Sequence, residues 1–428
     1  MLRMEPRSLK FIAEACGGKS HGKDGEATGV STDSRTIKAG DVFFAIKGDK
    51  FDGHDYVPGL SGTAAVVVER AVSAKCPVIE VANVRAALGQ FAARYRTDFD
   101  LPVIAIGGSN GKTTTKEVLG TILQQKFPTV RSEASFNNDI GVPLTLLRIG
   151  KEHGAAVLEV GTNHPGELAP LVRMIQPKYG IITSVGREHL EFFGDVAGVA
   201  QEEGWLAELL PADGKLFIGQ GQWTDAISRR TSAKVVRVGP ELKFRTQLLG
   251  RHQRQNVALA IAVAREIGLA DADIQKGLDL CKPAKMRLEL WEANGIQVLD
   301  DSYNANADSM LAALETLSEL PTRGRRISVL GDMAELGQHT EAAHAEVGER
   351  VAELGIDLLI AVGKYAAVTI KAAGAGKQFR DVDSACAGIA DIIQPGDLVL
   401  LKASRAMRIE RIGDFLKNAS FCDRKVAT

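Results

Sequence analysis

The chain has 428 residues, of which 45% are hydrophobic and 25% charged, as is usual for a folded globular protein. Since domains generally contain about 100–200 residues, we expect two to four of them. The 52 basic and 53 acidic residues give a net charge of −1, which argues against a nucleic-acid-binding or membrane-surface protein.

The cysteines are too widely spaced to suggest a disulfide framework or a zinc site. They lie at Cys16, Cys76, Cys281, Cys386 and Cys422, with no CxxC pair. This spacing favours a reducing cytosol. No apolar run reaches about 18 residues, and the first residues lack the pattern of a signal peptide. We therefore expect a cytoplasmic protein without a membrane span.

The order of predicted elements indicates three α/β domains. Residues 1–100 carry short β-like runs at Asp41–Ile46 and Ala64–Glu69, which predict a small N-terminal domain. Residues 101–283 alternate strands and helices, which predicts a central domain with a mostly parallel sheet. Its clearest runs are Val103–Ile106, Ala155–Val160, Gly180–Ser184 and the helical Asn256–Ile267.

A new alternation begins after Pro283 and predicts a Rossmann-like, doubly wound C-terminal domain over residues 284–428. Its predicted strands and helices are Gln297–Asp300, Met310–Leu320, Ile327–Leu330, Glu341–Leu354, Leu358–Val362 and Leu398–Leu401.

A glycine-rich turn between the first central strand and a helix predicts a phosphate-binding loop. The pattern is Gly108-x-x-Gly111-Lys112-Thr113, shorter than the common loop with four residues between its first glycine and Gly-Lys. Backbone N–H groups at a helix start favour phosphate oxygens. Lys112 can neutralise phosphate charge, and the hydroxyl of Thr113 can bind Mg²⁺. We therefore expect ATP as a substrate.

Two further side chains are candidates for the metal. Glu159 ends the strand Ala155–Val160, where we expect its carboxylate to be unpaired and exposed at the carboxyl edge of the sheet. His189 follows the next strand along the chain, the one predicted at Gly180–Ser184. Carboxylate and neutral imidazole both bind Mg²⁺ or Mn²⁺. A histidine in a loop is more often structural, but its place beside a strand end favours the functional interpretation.

With these motifs the chain resembles the Mur ligases, the ATP-dependent amide-forming enzymes of bacterial cell-wall precursor synthesis. The resemblance covers essentially the whole chain and departs from the family pattern at Gly107, Ser109, Gln253 and Ala307. The matching blocks are Gly108–Thr114, Gly29–Arg35, Phe43–Gly48, Phe51–Asp55, Ser135–Pro143, Gly250–His252 with Asn256, Leu299–Asn306, Gly331–Gly337 and Leu401–Arg405.

The resemblance implies roles for individual residues. It implies nucleotide contacts from Gly108, Ser109, Asn110, Gly111, Lys112, Thr113, Thr114, Asn256, Arg287 and Asp301. It implies substrate contacts from Ser31, Thr32, Asp33, Ser34, Arg35, Lys47, Gly48, Asn137, Asn138, Tyr303, Asn304, Asn306, Lys402, Ser404 and Arg405. The catalytic residues expected are Lys112, Glu159, His189 and Arg287. Without the resemblance, several of the substrate contacts pass for ordinary turns or surface charges.

The implied reaction joins D-alanyl-D-alanine to UDP-N-acetylmuramoyl-tripeptide through an acyl phosphate, with ATP and two Mg²⁺ ions and domain closure near Pro283. A monomer is expected. Most relatives carry a lysine where this chain has Glu203, and the carbamate of that lysine binds the second Mg²⁺. We expect Glu203 to replace the carbamate, so the expected metal ligands are Thr113, Glu159, His189 and Glu203. The other interpretation is that Glu203 is a solvated residue of a helix and that the second metal ion is bound more weakly.

Two alternatives stay open. A sister ligase would add a single amino acid to a UDP-muramoyl peptide or to folate, although the block Asp300–Asn306 favours the dipeptide. A nucleotide-dependent regulatory protein that has lost ligation would explain Glu203 as decay. The sequence does not distinguish diaminopimelate from lysine as the third residue of the tripeptide.

Overall fold

The computed structural model describes residues 3–240 and 243–418, which form three consecutive α/β units. Each unit contains one six-stranded sheet. The three-domain α/β class predicted from the sequence is confirmed. The sheets are separated in the chain between residues 96 and 103 and between residues 280 and 289.

The N-terminal unit has four parallel strands with an antiparallel strand at each edge, in the order β1-β3-β4-β5-β6-β2. Its elements are β1 (Arg3–Ser8), α1 (Leu9–Ala15), β2 (Lys19–His21), β3 (Glu26–Ser31), β4 (Asp41–Phe44), β5 (Ala65–Val68), β6 (Val78–Glu80) and α2 (Val84–Arg96).

The central unit is built on an entirely parallel sheet in the order β12-β11-β10-β7-β9-β8. Its strands are β7 (Val103–Gly107), β8 (Thr129–Arg131), β9 (Ala155–Glu159), β10 (Tyr179–Ile182), β11 (Lys215–Ile218) and β12 (Lys234–Arg237). Its helices are α3 (Lys112–Leu123), α4 (Gly141–Leu146), α5 (Leu168–Ile175), α6 (Leu190–Phe193), α7 (Val196–Glu208), α8 (Gln222–Ser228), α9 (Arg251–Glu266) and α10 (Asp271–Leu280). β7 and β9 are buried on both faces, which explains their continuous apolar sequences.

The C-terminal unit has the strand order β13-β14-β18-β15-β16-β17, in which only the edge strand β13 is antiparallel to its neighbour. Its elements are β13 (Glu289–Ala293), β14 (Ile296–Asp300), α11 (Ala307–Glu319), β15 (Arg326–Gly331), α12 (Thr340–Glu353), β16 (Leu358–Val362), α13 (Ala366–Ala373), β17 (Lys377–Phe379), α14 (Val382–Ile389), β18 (Leu398–Lys402) and α15 (Glu410–Asn418).

Several predicted boundaries are shifted in the structure, and two of these shifts lie next to the phosphate loop. The strand expected at Gly180–Ser184 runs from Tyr179 to Ile182, because the segment after it turns to bond with the phosphate loop. The helix expected to begin at Asn256 begins at Arg251. Its first turn is polar, so hydrophobic periodicity alone misses it.

The N-terminal unit packs on the central one through α2. Residues of both units belong to one continuous apolar cluster. At Gly89 of α2 a Cβ atom would lie 2.8 Å from Cε of Met174 in α5, so the two helices approach closely. The Tyr95 hydroxyl donates a hydrogen bond to the carbonyl of Ile149 at 2.6 Å. These contacts hold the two units together.

Cys16, Cys76, Cys281 and Cys386 are free thiols, and Cys422 lies outside the described residues. Among residues 3–240 and 243–418, no helix combines the length and apolar character needed to cross a membrane.

Candidate active site

A cleft of about 730 Å³ lies between the carboxyl edge of the central sheet and the C-terminal unit. Residues predicted for ATP, metal and substrate line it together although they come from distant parts of the chain. These are Ser109, Asn110, Gly111, Lys112, Thr113, Thr114, Asn137, Asn138, Glu159, His189, Asn256, Arg287, Asp301, Tyr303, Asn304, Asn306 and Lys402.

The phosphate loop depends on two glycines with positive φ. Gly108 has φ +109° and Gly111 has φ +92°, a region that disfavours side chains. A Cβ at Gly108 would lie 2.5 Å from Thr183 Oγ1, and a Cβ at Gly111 would lie 2.4 Å from Asn256 Oδ1. Helix α3 then begins at Lys112. The loop therefore brings its backbone close to neighbouring segments and presents a helix N-terminus to the cleft.

Glu159 lies at the predicted edge of the sheet, but the prediction that it is exposed and unpaired is wrong. Its side chain is buried, and it accepts hydrogen bonds from Thr113 Oγ1 at 2.9 Å and Asn137 Nδ2 at 3.0 Å. The neighbouring helix α3 and the loop at Asn137 cover it. A hydroxyl beside a carboxylate is a donor set that suits Mg²⁺, so Thr113 and Glu159 fit one magnesium ion.

His189 faces the C-terminal unit. Its Nδ1 lies 2.5 Å from Oε2 of Glu335, and the hydrogen bond from His189 lowers the pKa of the Glu335 carboxyl. His189 also has φ +47°, which fixes its direction at the start of α6. Among the described residues, no three His, Cys, Asp or Glu side chains form a group able to hold a metal ion.

Lys112 lies among three carboxylates at the phosphate loop. Lys112 Nζ lies 3.4 Å from Oε2 of Glu188 and donates to the carbonyl of Gly108. Burial alone would lower the pKa of Lys112, but the carboxylates of Glu188, Glu203 and Glu159 raise it overall.

Glu203 is a buried residue of α7, not a solvated one. Its Oε2 accepts a hydrogen bond from the Gly108 N–H at 2.6 Å. Burial raises the pKa of its carboxyl to about 8, although the charge of Lys112 opposes the shift. Within the part of the chain that the structure describes, Glu203 Oε1 finds no hydrogen-bond partner. The glutamate therefore supports the base of the phosphate loop.

The C-terminal unit supplies the opposite wall. The Arg287 guanidinium stacks 4.1 Å from the ring centroid of Tyr303, and its Nη2 lies 3.4 Å from Ser135 Oγ. Lys402 Nζ contacts Asp301 Oδ2 at 2.5 Å. These contacts set two cations on the far side of the cleft from the phosphate loop.

Asn256 contacts the phosphate loop at Gly111 and donates through Nδ2 to Gln253 Oε1 at 2.8 Å. Both side chains are buried. Gln253, a departure from the family pattern, thus orients Asn256.

A second cleft of about 650 Å³ lies between the N-terminal and central units. Of the predicted substrate residues, Ser31, Thr32, Asp33 and Arg35 line it. Arg35 Nη2 lies 2.7 Å from Asp33 Oδ2, and that hydrogen bond lowers the pKa of Asp33 to about 2. The second cleft therefore presents an ionised carboxylate and a guanidinium.

One loop separates the two clefts. Ser135, Asn137 and Asn138 line the first, whereas Glu133 and Phe136 line the second. A ligand that contacts both faces of this loop would reach from the N-terminal unit to the phosphate loop.

Five predicted substrate residues line neither cleft: Ser34, Lys47, Gly48, Ser404 and Arg405. Lys47 and Gly48 are exposed, with Lys47 in a β-bridge to Asp52. Ser404 is buried and bonded to backbone groups, and Arg405 pairs with Glu410 at 3.1 Å.

Sequence reasoning missed Glu188 and Glu335 as partners of Lys112 and His189. Both lie in stretches that had been singled out, one beside His189 and one within Gly331–Gly337. An acidic residue in a loop gives no local signal of its partner, so only adjacency to a candidate site residue could have marked them.

Family models match most of the chain in three parts. The Mur ligase family catalytic domain matches residues 26–96, the Mur ligase middle domain matches 106–240, and the Mur ligase glutamate ligase domain matches 286–405.

Whole-length relatives agree with these matches. The UDP-N-acetylmuramoyl-tripeptide–D-alanyl-D-alanine ligase of Escherichia coli strain K12 is 34% identical, covering 97% of this chain and 99% of that protein. The enzyme of the same name from Bacillus subtilis strain 168 is also 34% identical, covering 96% and 98%.

Solved structures are similar as well. A crystal structure of MurF from Acinetobacter baumannii superposes with a TM-score of 0.91 at 32% identity, covering 97% of this chain and all of that one. The MurF ligase from Thermotoga maritima, in complex with ADP, superposes with a TM-score of 0.80 at 26% identity over 91% of this chain and 96% of that one.

Proposed function

The chain belongs to the Mur ligase family, and on that premise we propose that it joins D-alanyl-D-alanine to UDP-N-acetylmuramoyl-tripeptide at the expense of ATP. The product is a precursor of peptidoglycan. One observation carries the proposal: the phosphate loop and the Arg287, Asp301 and Lys402 side chains face each other across a single cleft.

The chemistry needs a carboxylate and a triphosphate, both anionic, to be held in contact. In the proposed reaction a carboxylate oxygen of the tripeptide attacks the terminal phosphorus of ATP, and ADP leaves. The amine of D-alanyl-D-alanine then attacks the acyl carbon, phosphate leaves, and the amine loses a proton. Lys112, the loop N–H groups and Arg287 offset the negative charge that these steps bring together.

For the metal we propose Thr113 and Glu159 as ligands of one Mg²⁺, with His189 and Glu203 as the remaining predicted ligands. The bound ion would neutralise phosphate charge. Glu203 stays a prediction; the unpartnered Oε1 supports it, whereas the bond from Oε2 to Gly108 also gives it a structural role.

For the substrate we propose that the UDP-sugar end occupies the cleft at Ser31–Arg35 and that the peptide end passes the loop at Asn137 and Asn138. The two clefts on either side of that loop support this path. We also propose that the domain boundaries lie at residues 100 and 283, that the protein is a monomer and that it is located in the cytoplasm.

The test is phosphate release from ATP and Mg²⁺ by the purified protein. We expect release only when UDP-N-acetylmuramoyl-tripeptide and D-alanyl-D-alanine are both present, with formation of the pentapeptide product. The tripeptide should be supplied in its diaminopimelate and lysine forms. Single D- and L-amino acids, and folate as the acceptor, serve as controls.

Activity with a single amino acid in place of the dipeptide would identify a sister ligase. ATP binding without product would identify a non-ligating protein.

A further inference from the structure

Glu188 is a buried carboxylate to which the proposed reaction gives no role. It is 6% exposed and lies on the segment that follows β10. Its Oε2 lies 3.4 Å from Lys112 Nζ. In the described part of the chain, its Oε1 has no hydrogen-bond partner. The phosphate-loop lysine is therefore the group that balances this carboxylate.

The backbone holds Glu188 in this place. Ser109 N–H donates to the carbonyl of Ser184 at 2.9 Å, and Gly186 N–H donates to Ser109 Oγ at 2.9 Å. Asn110 N–H donates to Ser184 Oγ at 3.0 Å. The segment 184–188 thus runs along the phosphate loop, and these bonds hold the backbone that carries Glu188 beside Lys112.

The neighbouring side chain points elsewhere. Arg187 Nε bonds to Asp308 Oδ1 at 2.7 Å, and its Nη2 lies 3.2 Å from Glu346 Oε1 in the C-terminal unit. Its charge is therefore engaged by two carboxylates of its own, which leaves Lys112 as the partner of Glu188.

This pairing has a consequence for nucleotide entry. A phosphate that takes the Lys112 ammonium leaves Glu188 buried without its counter-charge, and a buried unpaired charge is strongly unfavourable. A metal-free nucleotide brings negative charge close to this unpaired carboxylate, and the repulsion weakens binding further. A nucleotide that carries a divalent cation brings a replacement positive charge with it.

We propose that Glu188 is a specificity-determining residue that selects the magnesium complex of the nucleotide over the metal-free form, by occupying Lys112 until a divalent cation replaces it. The inference rests on the proposed ATP-dependent function and deepens it. It concerns binding alone and needs no ligase turnover.

The test is calorimetric binding of ADP to the full chain, in EDTA and separately in MgCl₂. For Glu188→Gln we expect metal-free ADP to bind about tenfold more tightly than to the unchanged protein. We expect the affinity for magnesium-bound ADP to change less than threefold. The ratio of the two affinities should therefore shrink about tenfold.

The matched control is Glu191→Gln, which removes the same charge from an exposed position three residues away. Its affinity ratio should equal that of the unchanged protein. A Glu188→Gln protein that binds metal-free ADP no more tightly, or that loses only magnesium-bound ADP, would overturn the inference. Failure of the unchanged protein to bind ADP under either condition would instead count against the proposed function.

Circular dichroism and thermal unfolding show whether the Glu188→Gln protein is folded. If Glu188→Gln does not fold, Glu188→Asp gives a second measurement, because the shorter side chain withdraws the carboxylate from Lys112. It should tighten metal-free ADP as well, by a smaller factor; an unchanged affinity there would contradict the inference.

Discussion

The hydroxyl of Thr113 joins the phosphate loop to the buried carboxylate of Glu159. Thr115, two residues further along α3, is equally buried but has a hydroxyl without a hydrogen-bond partner among the described residues. The two threonines therefore offer matched substitutions by valine, which has nearly the same shape.

For Thr113→Val we expect Mg²⁺-dependent activity to fall at least about 10–100-fold, the loss typical of a group that only orients a metal ligand, because the Thr113 hydroxyl both bonds Glu159 and is proposed to bind the ion. For Thr115→Val we expect unchanged activity and equal or slightly greater stability, because a buried unsatisfied hydroxyl is lost. Magnesium titrations of the rate and urea unfolding measure the two effects. Equal losses of activity in both variants would contradict the role of Thr113.

The raised pKa of Glu203 predicts a pH effect on stability in metal-free protein. The carboxyl has a pKa of about 8 in the folded state against 4.5 in the unfolded chain. Between these values the folded state binds the extra proton, so the free energy of unfolding falls as the pH rises from about 4.5 to about 8. The loss levels off as the pH rises past about 8.

Glu203→Gln should remove this dependence. Thermal unfolding in EDTA should give a variant whose advantage over the unchanged protein grows from pH 5 to pH 8.5. Glu208→Gln, an exposed position of the same helix, is the control and should keep the original slope. A parallel pH dependence in Glu203→Gln would rule out this carboxyl as its origin.

At the scale of elements, the loop between β7 and α3 has no room for a side chain at Gly108. Gly108 and Gly166 both have positive φ, +109° and +89°, but only Gly108 has neighbours within 4 Å of an added Cβ. A side chain in this conformation costs about 1–2 kcal/mol, and forcing atoms into a packed region adds about 1–3 kcal/mol.

We therefore expect Gly166→Ala to cost about 1–2 kcal/mol and Gly108→Ala about 2–5 kcal/mol. Gly108→Ala should also abolish ADP binding, whereas Gly166→Ala should retain it. Urea unfolding and calorimetry provide the measurements. Retained ADP affinity in Gly108→Ala would mean that the loop tolerates a different path.

The elements that the sequence predicted best are those with local signals. β7, its glycine turn and the Lys-Thr start of α3 follow from an apolar run, from positive φ at glycine and from helix-terminus chemistry. Glu159 was placed correctly at the end of its strand. Its burial was not, because the covering groups, Thr113 and Asn137, reach it only after the chain has folded.

The partners of charged groups were beyond sequence reasoning for the same physical reason. Lys112 meets Glu188 and His189 meets Glu335 through distances set by tertiary packing. Nothing in the spacing of the chain encodes them. Lys47 and Gly48 illustrate the converse, since the family resemblance predicts substrate contacts for them and the structure leaves them outside both clefts.

At the scale of the whole molecule, the cleft depends on contacts between the central and C-terminal units. Arg187 bonds to Asp308 and Glu346, and Asn110 and Asn306 exchange side-chain hydrogen bonds. These contacts hold the two walls of the cleft together. Arg350 offers a matched comparison, since it also contacts two carboxylates, both within the C-terminal unit.

Arg187→Met should favour a more open arrangement by about 1.5–3 kcal/mol, the usual contribution of charged hydrogen bonds. Small-angle scattering should show a larger radius of gyration, and the rate of ligation should fall. Arg350→Met should leave the radius of gyration unchanged. If the radius of gyration of Arg187→Met is unchanged, the other contacts between the two units, such as Asn110 with Asn306, are sufficient to keep the cleft closed.

Helix α2 has a further consequence, which concerns how the chain is made. One side of α2 packs on α4 and α5, which come later in the sequence, at Gly141–Leu146 and Leu168–Ile175. During synthesis the N-terminal unit leaves the ribosome before those helices exist, so α2 then lacks the contacts of Gly89 with Met174 and of the Tyr95 hydroxyl with Ile149. We expect truncation after residue 100 to yield a protein that aggregates, whereas a fragment ending at residue 283 should remain dispersed.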